Sequence, residues 1–256
     1  MQILRALAVA CLILTHAFAQ DPLKVAPQAY KFQFENEWVK IVRVHYAPHA
    51  KIPAHDHTKM AAAYVYLNDS GPVIFKHIGL EYGAITRPAT KAGSFRLYRA
   101  VQEVHEVENP NDTPSDFLRV ELKTEPVNER SLRGRYFRED YPAGENYQKV
   151  QFENEQLRVT RLVCAPGRKL EVTTNATEPA LLIALTPARF KAAGQKGKAA
   201  RWNPEAGQTR WVALNQQEQL ENLHDAPAEL LRFDFKTKPV RQDSGGKGKS
   251  HDHPRN

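Results

Sequence analysis

Cysteine is scarce in this chain, and long apolar runs are confined to its first residues. Its only two cysteines are Cys11 and Cys164, and Cys11 lies in a segment that we predict to be removed. No internal disulfide can then form, so packing alone would hold an exported protein of this sequence together. No stretch after residue 19 approaches the ~20 apolar residues that a membrane-spanning helix needs.

The motifs of several enzyme classes are also missing. The sequence contains no glycine-rich phosphate loop, no Cys-x-x-Cys pair and no nucleophile elbow. Its net charge is +7, but basic residues are mixed with acids, even in the densest basic run, residues 129–140. This pattern lacks the one-sided basic patch of a nucleic-acid-binding protein, so we expect no nucleic-acid partner.

Residues 1–19 have the features of a secretory signal peptide. Arg5 lies near the start, an apolar stretch runs through Leu14, and a small-x-small cleavage site occupies residues 17–19. A lipoprotein signal is the alternative, because Cys11 follows an alanine, but the apolar run continues past it. We therefore predict a secreted or periplasmic protein.

The rest of the chain contains an internal sequence repeat. Residues 34–48 and 152–166 share seven of fifteen positions, starting with Phe-Glu-Asn-Glu in both. Residues 109–126 and 222–239 share eight of eighteen. Both ends of a unit of roughly a hundred residues therefore recur in the same order, which indicates duplication of a whole domain.

Each copy has the alternation of β-strands separated by turn signals, and no convincing long amphipathic helix is present. Short strands at near-regular spacing are typical of a β-sandwich or a closed barrel. We predict an all-β protein with a first domain over residues 28–126, a polar linker over 127–146, a second domain over 147–240 and a disordered basic tail over 241–256.

Two histidines one residue apart are the main chemical signal. Residues i and i+2 of a strand point to the same side, so His55 and His57 would project together and could bind one metal ion. A third ligand must come from another strand, and His105, just before a turn, is the best candidate. Three neutral imidazoles suit Fe, Ni, Zn or Cu and leave positions for water or substrate.

The spacing of these residues resembles the two motifs of the cupin superfamily. The matching residues, in order, are Pro48, Pro53, His55, His57, Gly93, His105 and Asn109. The resemblance covers both copies and implies a bicupin, with two tandem cupin-like (double-stranded β-helix or jelly-roll) barrels. It also implies a central pocket that often holds a divalent metal ion such as Fe, Mn, Ni or Zn.

The match to the motifs is incomplete. His49 stands where the first motif has glycine, although the second copy has Gly167 there. The proline and glycine of the second motif would fall at Ala100 and Gln102. The metal-binding glutamate would fall at Ala61 or Ala62, and no nearby residue replaces it.

The second copy lacks all three histidines. Counted by the offsets of the repeat, Thr173, Asn175 and Glu218 take their places. A duplicated barrel that folds without them argues against a packing role, so we expect one metal site, in the first barrel. Cys164 falls on a strand and is expected to be a buried small residue rather than a nucleophile.

Four further residues are candidates for lining the pocket. These are His49, His77, Arg96 and Tyr98. His77 shares a strand face with two apolar residues, so it would either line the pocket or form a hydrogen bond inside the barrel.

Two functions follow from these residues. The first is an exported metal-binding bicupin with a small anionic or sugar-like ligand. The second is a metal-dependent enzyme with a three-histidine centre, such as a dioxygenase. Cupins often pair through strand edges, so a homodimer is conceivable, although no residue of this sequence indicates one.

Overall fold

The computed structural model describes residues 21–57, 59–81, 83–194 and 199–240. In these ranges nearly all regular structure is β-strand, arranged in four antiparallel sheets, which confirms the all-β prediction. The predicted signal peptide, residues 1–19, and the predicted tail, residues 241–256, lie outside the described residues. No helix in the described part of the chain has the length and hydropathy needed to span a membrane.

The first barrel packs a six-stranded sheet against a four-stranded one. The strand orders are β1-β2-β9-β4-β7-β10 and β3-β8-β5-β6. Its elements are α1 (Pro22–Val25), β1 (Tyr30–Glu35), β2 (Val39–Tyr46), β3 (Lys51–Asp56), β4 (Ala62–Tyr66), β5 (Val73–His77), β6 (Ala84–Arg87), β7 (Phe95–Tyr98), β8 (Val104–Glu108), β9 (Ser115–Leu122), a 3₁₀ turn (Glu129–Ser131) and β10 (Gly134–Tyr136).

The second barrel repeats this topology with sheets β11-β12-β19-β14-β17 and β13-β18-β15-β16. Each strand of the second barrel corresponds to the strand of the first barrel whose label is lower by ten, for example β12 to β2. The strand order therefore confirms the duplication. Its strands are β11 (Tyr147–Glu153), β12 (Leu157–Cys164), β13 (Lys169–Thr173), β14 (Ala180–Ala184), β15 (Phe190–Gly194), β16 (Ala200–Trp202), β17 (Thr209–Val212), β18 (Gln217–Asn222) and β19 (Ala228–Phe235).

The segment predicted as a linker contributes to the first barrel. Strand β10 pairs with β7 at the edge of the six-stranded sheet. Leu132 is 1% exposed within the core between the barrels, and the ring of Tyr136 stacks on Phe95 with centroids 4.6 Å apart. Residues 127–146 therefore extend a sheet as well as connecting the two domains.

The apolar face of β9 packs between the two barrels. Leu118 and Val120 belong to one buried cluster with Phe233 of β19, and all three are fully buried. The opposite face of β9 carries Arg119 and Glu121, which are only 6% and 3% exposed because they point into the first barrel. The alternation of β9 thus separates an inter-barrel face from a polar face inside the barrel.

Candidate metal centre

Three neighbouring strands place histidines in one row across the four-stranded sheet. His105 of β8 pairs with His55 of β3 on one side and with His77 of β5 on the other. His57 follows two residues after His55. The ring centroids of His55 and His57 lie 4.8 and 5.2 Å from that of His105, and all four side chains are buried. The fold therefore brings the three predicted ligands together.

A β-bulge in β3 turns the paired histidines inward. Pro53 and Ala54 together stand opposite a single residue of β8. One extra residue reverses the alternation of the strand beyond it, so His55 and His57 face the barrel interior. Proline suits a bulge because it has no N–H to donate to the ladder.

The second barrel has no such bulge, and this corrects the equivalence predicted from the repeat. Counting by offset aligns Thr173 and Asn175 with the paired histidines. In the structure the ladder between β13 and β18 is continuous and puts Val172 opposite Glu218. Val172 is the inward residue and Thr173 is exposed, so the spatial counterpart of His55 is one residue earlier.

The interior of the second barrel is filled mainly with apolar side chains. Val172 and Leu220 are fully buried there. Glu218, the counterpart of His105, accepts hydrogen bonds of 2.7 and 3.0 Å from Arg210. Within the described residues, both clusters of three metal-ligating side chains lie in the first barrel, and both include His105.

The hydrogen bonds of His55 fix its tautomer. Its Nδ1 lies 2.8 Å from the carbonyl oxygen of Pro53, which can only accept, so Nδ1 carries the proton. Its Nε2 then accepts a hydrogen bond of 2.8 Å from the hydroxyl of Tyr30. A backbone carbonyl bound to one ring nitrogen is the usual way in which proteins orient a histidine whose other nitrogen binds metal.

The three imidazoles are neutral at physiological pH because they are buried. Burial lowers the pKa of His105 to about 2, with nearby His55 and Arg87 adding to the effect. Burial also lowers the pKa of His55 and takes that of His57 well below its ordinary value, with Arg119 contributing to both. A neutral ring is the form that binds a metal ion.

His105 provides the test of whether these residues fit an ion. It is 3% exposed, and neither of its ring nitrogens has a hydrogen-bond partner. Buried polar atoms without partners are uncommon and costly. Ligand nitrogens of His55, His57 and His105 lie within 4.8 Å of one another. The triad is therefore positioned for a metal ion, which would also satisfy a nitrogen of His105.

No carboxylate occupies the position of the motif glutamate. Ala62 faces the barrel interior and is 3% exposed. Its cross-strand neighbour on β9 is Glu121, whose carboxylate accepts a 2.8 Å hydrogen bond from Nε of Arg119. An acidic group does lie beside the third ligand: Oε2 of Glu103 is 3.8 Å from Nδ1 of His105.

A cavity of about 300 Å³ adjoins the triad, and His57 and Tyr30 form part of its wall. Arg119 also lines it and donates a 3.0 Å hydrogen bond to the hydroxyl of Tyr64. The pair of Arg119 with Glu121 has a counterpart in the second barrel, where Arg232 donates to Asp234 at 2.8 Å. The arginine–acid pair is therefore a structural feature of both barrels, which in the first barrel places a guanidinium in the cavity wall.

The other predicted pocket residues are distributed differently. His49 does not line the cavity: it occupies a left-handed turn with φ of 56°, its side chain is 64% exposed, and it bonds Asp112 at 2.9 Å. This is the conformation that favours the glycine of the motif. His77 lies inside the barrel, with its side chain 3% exposed.

Arg96 and Tyr98 lie on the face of β7 that is turned toward the first barrel, and both are half-buried. The guanidinium of Arg96 lies over the ring of Tyr98 at 4.6 Å. The hydroxyl of Tyr98 donates a 2.8 Å hydrogen bond to Glu103. These two residues thus reach the histidine row through Glu103, and their part in ligand binding remains a prediction.

Sequence reasoning missed Tyr30, Glu103 and Arg119. The i, i+2 spacing of Glu103 and His105 on a strand was a usable signal, because it puts both on one side. Arg119 lies in a segment that both copies share, and the second copy also has an arginine there. The repeat therefore indicated a structural role for Arg119 rather than a place in the site. Tyr30 precedes the recognisable repeat, and nothing in the sequence linked it to the histidines.

No protein-family model and no curated protein sequence matches this chain. Solved structures do match its fold. Crystal structures of AerE from Microcystis aeruginosa and YhaK from Escherichia coli are 12% and 16% identical, each with a TM-score of 0.53. The matches cover 81% of this chain and 97% of AerE, and 83% of this chain and 92% of YhaK.

Oxalate decarboxylase from Bacillus subtilis is also similar. It is 13% identical, with a TM-score of 0.51, over 84% of this chain and 77% of that enzyme, whose Mn(II) centres have been characterised. At such identities the likeness concerns the fold. Together with the duplicated jelly-roll topology and the histidine triad, it shows that this chain has the two-barrel fold of the bicupins.

Proposed function

We propose that this protein is an exported bicupin that binds one divalent metal ion through His55, His57 and His105, together with a small anionic ligand. The observation that carries the proposal is His105, buried with two unpartnered ring nitrogens beside two other neutral imidazoles. Export rests on the signal-like residues 1–19. The Mn(II) centres of oxalate decarboxylase support a divalent ion without identifying it.

An anionic ligand suits this site better than a sugar-like one. Three neutral histidines leave both positive charges of the ion uncompensated, since no carboxylate stands at Ala62. Arg119 lines the adjoining cavity beside its partner Glu121 and offers further N–H donors there. A carboxylate ligand would offset the charge of the ion where solvent screening is weak.

Metal content of the purified protein tests the ion. We expect about one equivalent per chain by elemental analysis, and none in His105→Ala. His45→Ala is the matched control, because His45 is exposed on β2 of the same barrel. Absence of metal from the wild type after growth with Mn, Fe, Zn, Ni and Cu salts would refute the proposal.

Calorimetric titration of the metal-loaded protein tests the ligand class. Oxalate is a suitable dicarboxylate probe and glucose a neutral sugar probe. Binding of oxalate only in the loaded form supports an anionic ligand at the metal, whereas binding of glucose alone contradicts it.

Expression in a bacterium with N-terminal sequencing tests export, with Gln20 as the expected first residue.

A metal-dependent enzyme is the second candidate. It is favoured by the position of His57 in the cavity wall, because a substrate in that cavity would reach an ion held by His57. The ion would act as a Lewis acid or bind oxygen. Oxygen uptake with small organic acids, lost in His105→Ala, would identify a dioxygenase.

A further inference from the structure

A second group of ligating side chains lies beside the triad and shares one member with it. Oε2 of Glu103 is 3.4 Å from Nε2 of His77 and 3.8 Å from Nδ1 of His105. One ligand atom from each of the three residues lies within 4.8 Å of the others. Their side chains are 3%, 8% and 3% exposed for His77, Glu103 and His105. The group is therefore as thoroughly buried as the triad.

The hydrogen bonds around this group point its lone pairs inward. Nδ1 of His77 donates to the carbonyl oxygen of Gly83 at 3.2 Å, so Nε2 is the ring nitrogen turned toward Glu103, 3.4 Å from its Oε2. Oε1 of Glu103 accepts from Tyr98 at 2.8 Å, which leaves Oε2 for the histidines. A buried carboxylate beside ring nitrogens is stabilised by a cation held between them.

We infer that His77, Glu103 and His105 form a second divalent-cation site, alternative to the three-histidine site. Two imidazoles and one carboxylate are a donor set suited to ions such as Fe(II) and Mn(II). The carboxylate offsets one of the ion's charges, which no residue of the triad does. Arg119, whose charge acts on His57 and His105, further disfavours a bare cation at the triad.

The shared residue makes the two sites compete. A neutral imidazole has one lone pair, so His105 binds an ion on one side of the ring at a time. The chain therefore holds one ion in either of two adjacent positions. An anionic ligand in the cavity would favour the triad, and its absence would favour the Glu103 site.

Cobalt binding by single and double variants tests this inference. Equilibrium dialysis with Co(II) is expected to give about one equivalent per chain for the wild type, His57→Ala and Glu103→Gln, and less than about 0.1 for His57→Ala/Glu103→Gln. The visible spectra of the two single variants should differ, because one ion would have a carboxylate ligand and the other would not. His57→Ala/His77→Ala provides a second double variant, and circular dichroism verifies folding.

The outcomes separate this inference from the proposed function. Complete loss of Co(II) in His57→Ala alone overturns the second site and leaves the triad. Complete loss in Glu103→Gln alone supports the second site and overturns the three-histidine proposal. Full binding in both folded double variants overturns the second site, because the ion then lies elsewhere.

Discussion

The hydroxyl oxygen of Tyr30 lies 2.8 Å from Nε2 of His55, the nitrogen that the Pro53 carbonyl leaves available for metal. The same hydroxyl is 2.7 Å from that of Tyr46. Because Tyr30 donates to His55, Tyr46 must donate to Tyr30. A chain of two tyrosines therefore satisfies the ligand nitrogen and competes with a metal ion for its lone pair.

Replacing Tyr30 by phenylalanine should strengthen metal binding. The substitution removes the competing donor, whose net value is about 1 kcal/mol, so we expect the Kd for Co(II) to fall about fivefold. The metal-free protein should lose about 1 kcal/mol of unfolding free energy. Calorimetric titration and urea unfolding measure the two effects. Tyr46→Phe retains the Tyr30 hydroxyl and serves as the control; an unchanged Kd in Tyr30→Phe contradicts the competition.

Deleting Ala54 should remove the bulge and preserve both the barrel and the three-histidine site. With one residue fewer, Pro53 alone stands opposite Glu106 and His55 stays opposite His105, as Val172 stands opposite Glu218 in the continuous ladder of the second barrel. We expect the far-ultraviolet circular dichroism to remain that of a β-protein and the Co(II) spectrum to keep its all-histidine component. Loss of that component in the folded variant would show that the bulge itself is needed to position the ligands.

The second barrel should contribute stability without metal. Leu220→Ala opens a cavity in its aliphatic core, where Leu220 is fully buried, and we expect a loss of about 2–5 kcal/mol in urea unfolding. Metal content of the folded variant should equal that of the wild type. Loss of metal from a variant that remains folded would indicate that the second barrel also shapes the site.

Arg161 should be important for joining the barrels. It is fully buried, donates to the carbonyl oxygen of Gly93 in the first barrel at 2.5 Å and pairs with Glu229 at 3.4 Å. Arg161→Met should cost about 3 kcal/mol, because a buried acid loses a partner. Arg158→Met removes a partly exposed pair with Glu153 and should cost less than about 1 kcal/mol. Equal unfolding midpoints for the two variants would contradict this assignment.

Cys164 should be unreactive in the folded protein. Burial raises the pKa of its thiol to about 11, and the side chain is fully enclosed, so few thiolates form below that pH and none is accessible. At pH 8, an aromatic disulfide reagent should detect one thiol more in the wild type than in Cys164→Ser only after addition of urea. The same difference under native conditions would mean that the thiol is accessible.

Much of the architecture was readable from the repeat. Two copies of one strand pattern, with turn signals between them, predicted two β-barrels, and the i, i+2 spacing of His55 and His57 predicted a shared ligand face. The burial of Cys164 also followed from its place in a strand pattern. The position of His49 was misjudged, because a turn that requires a positive φ holds its side chain in solvent.

The sequence by itself determined the strand alternation, the duplication and the identity of the three histidines, because these depend on local periodicity and on comparison of one copy with the other. Only the tertiary structure decided the bulge at Pro53 and Ala54, the inward face of β9 and the approach of Tyr30, Glu103 and His77 to the histidine row. Strand register and barrel packing join residues far apart in the chain, and no local pattern encodes which of them meet.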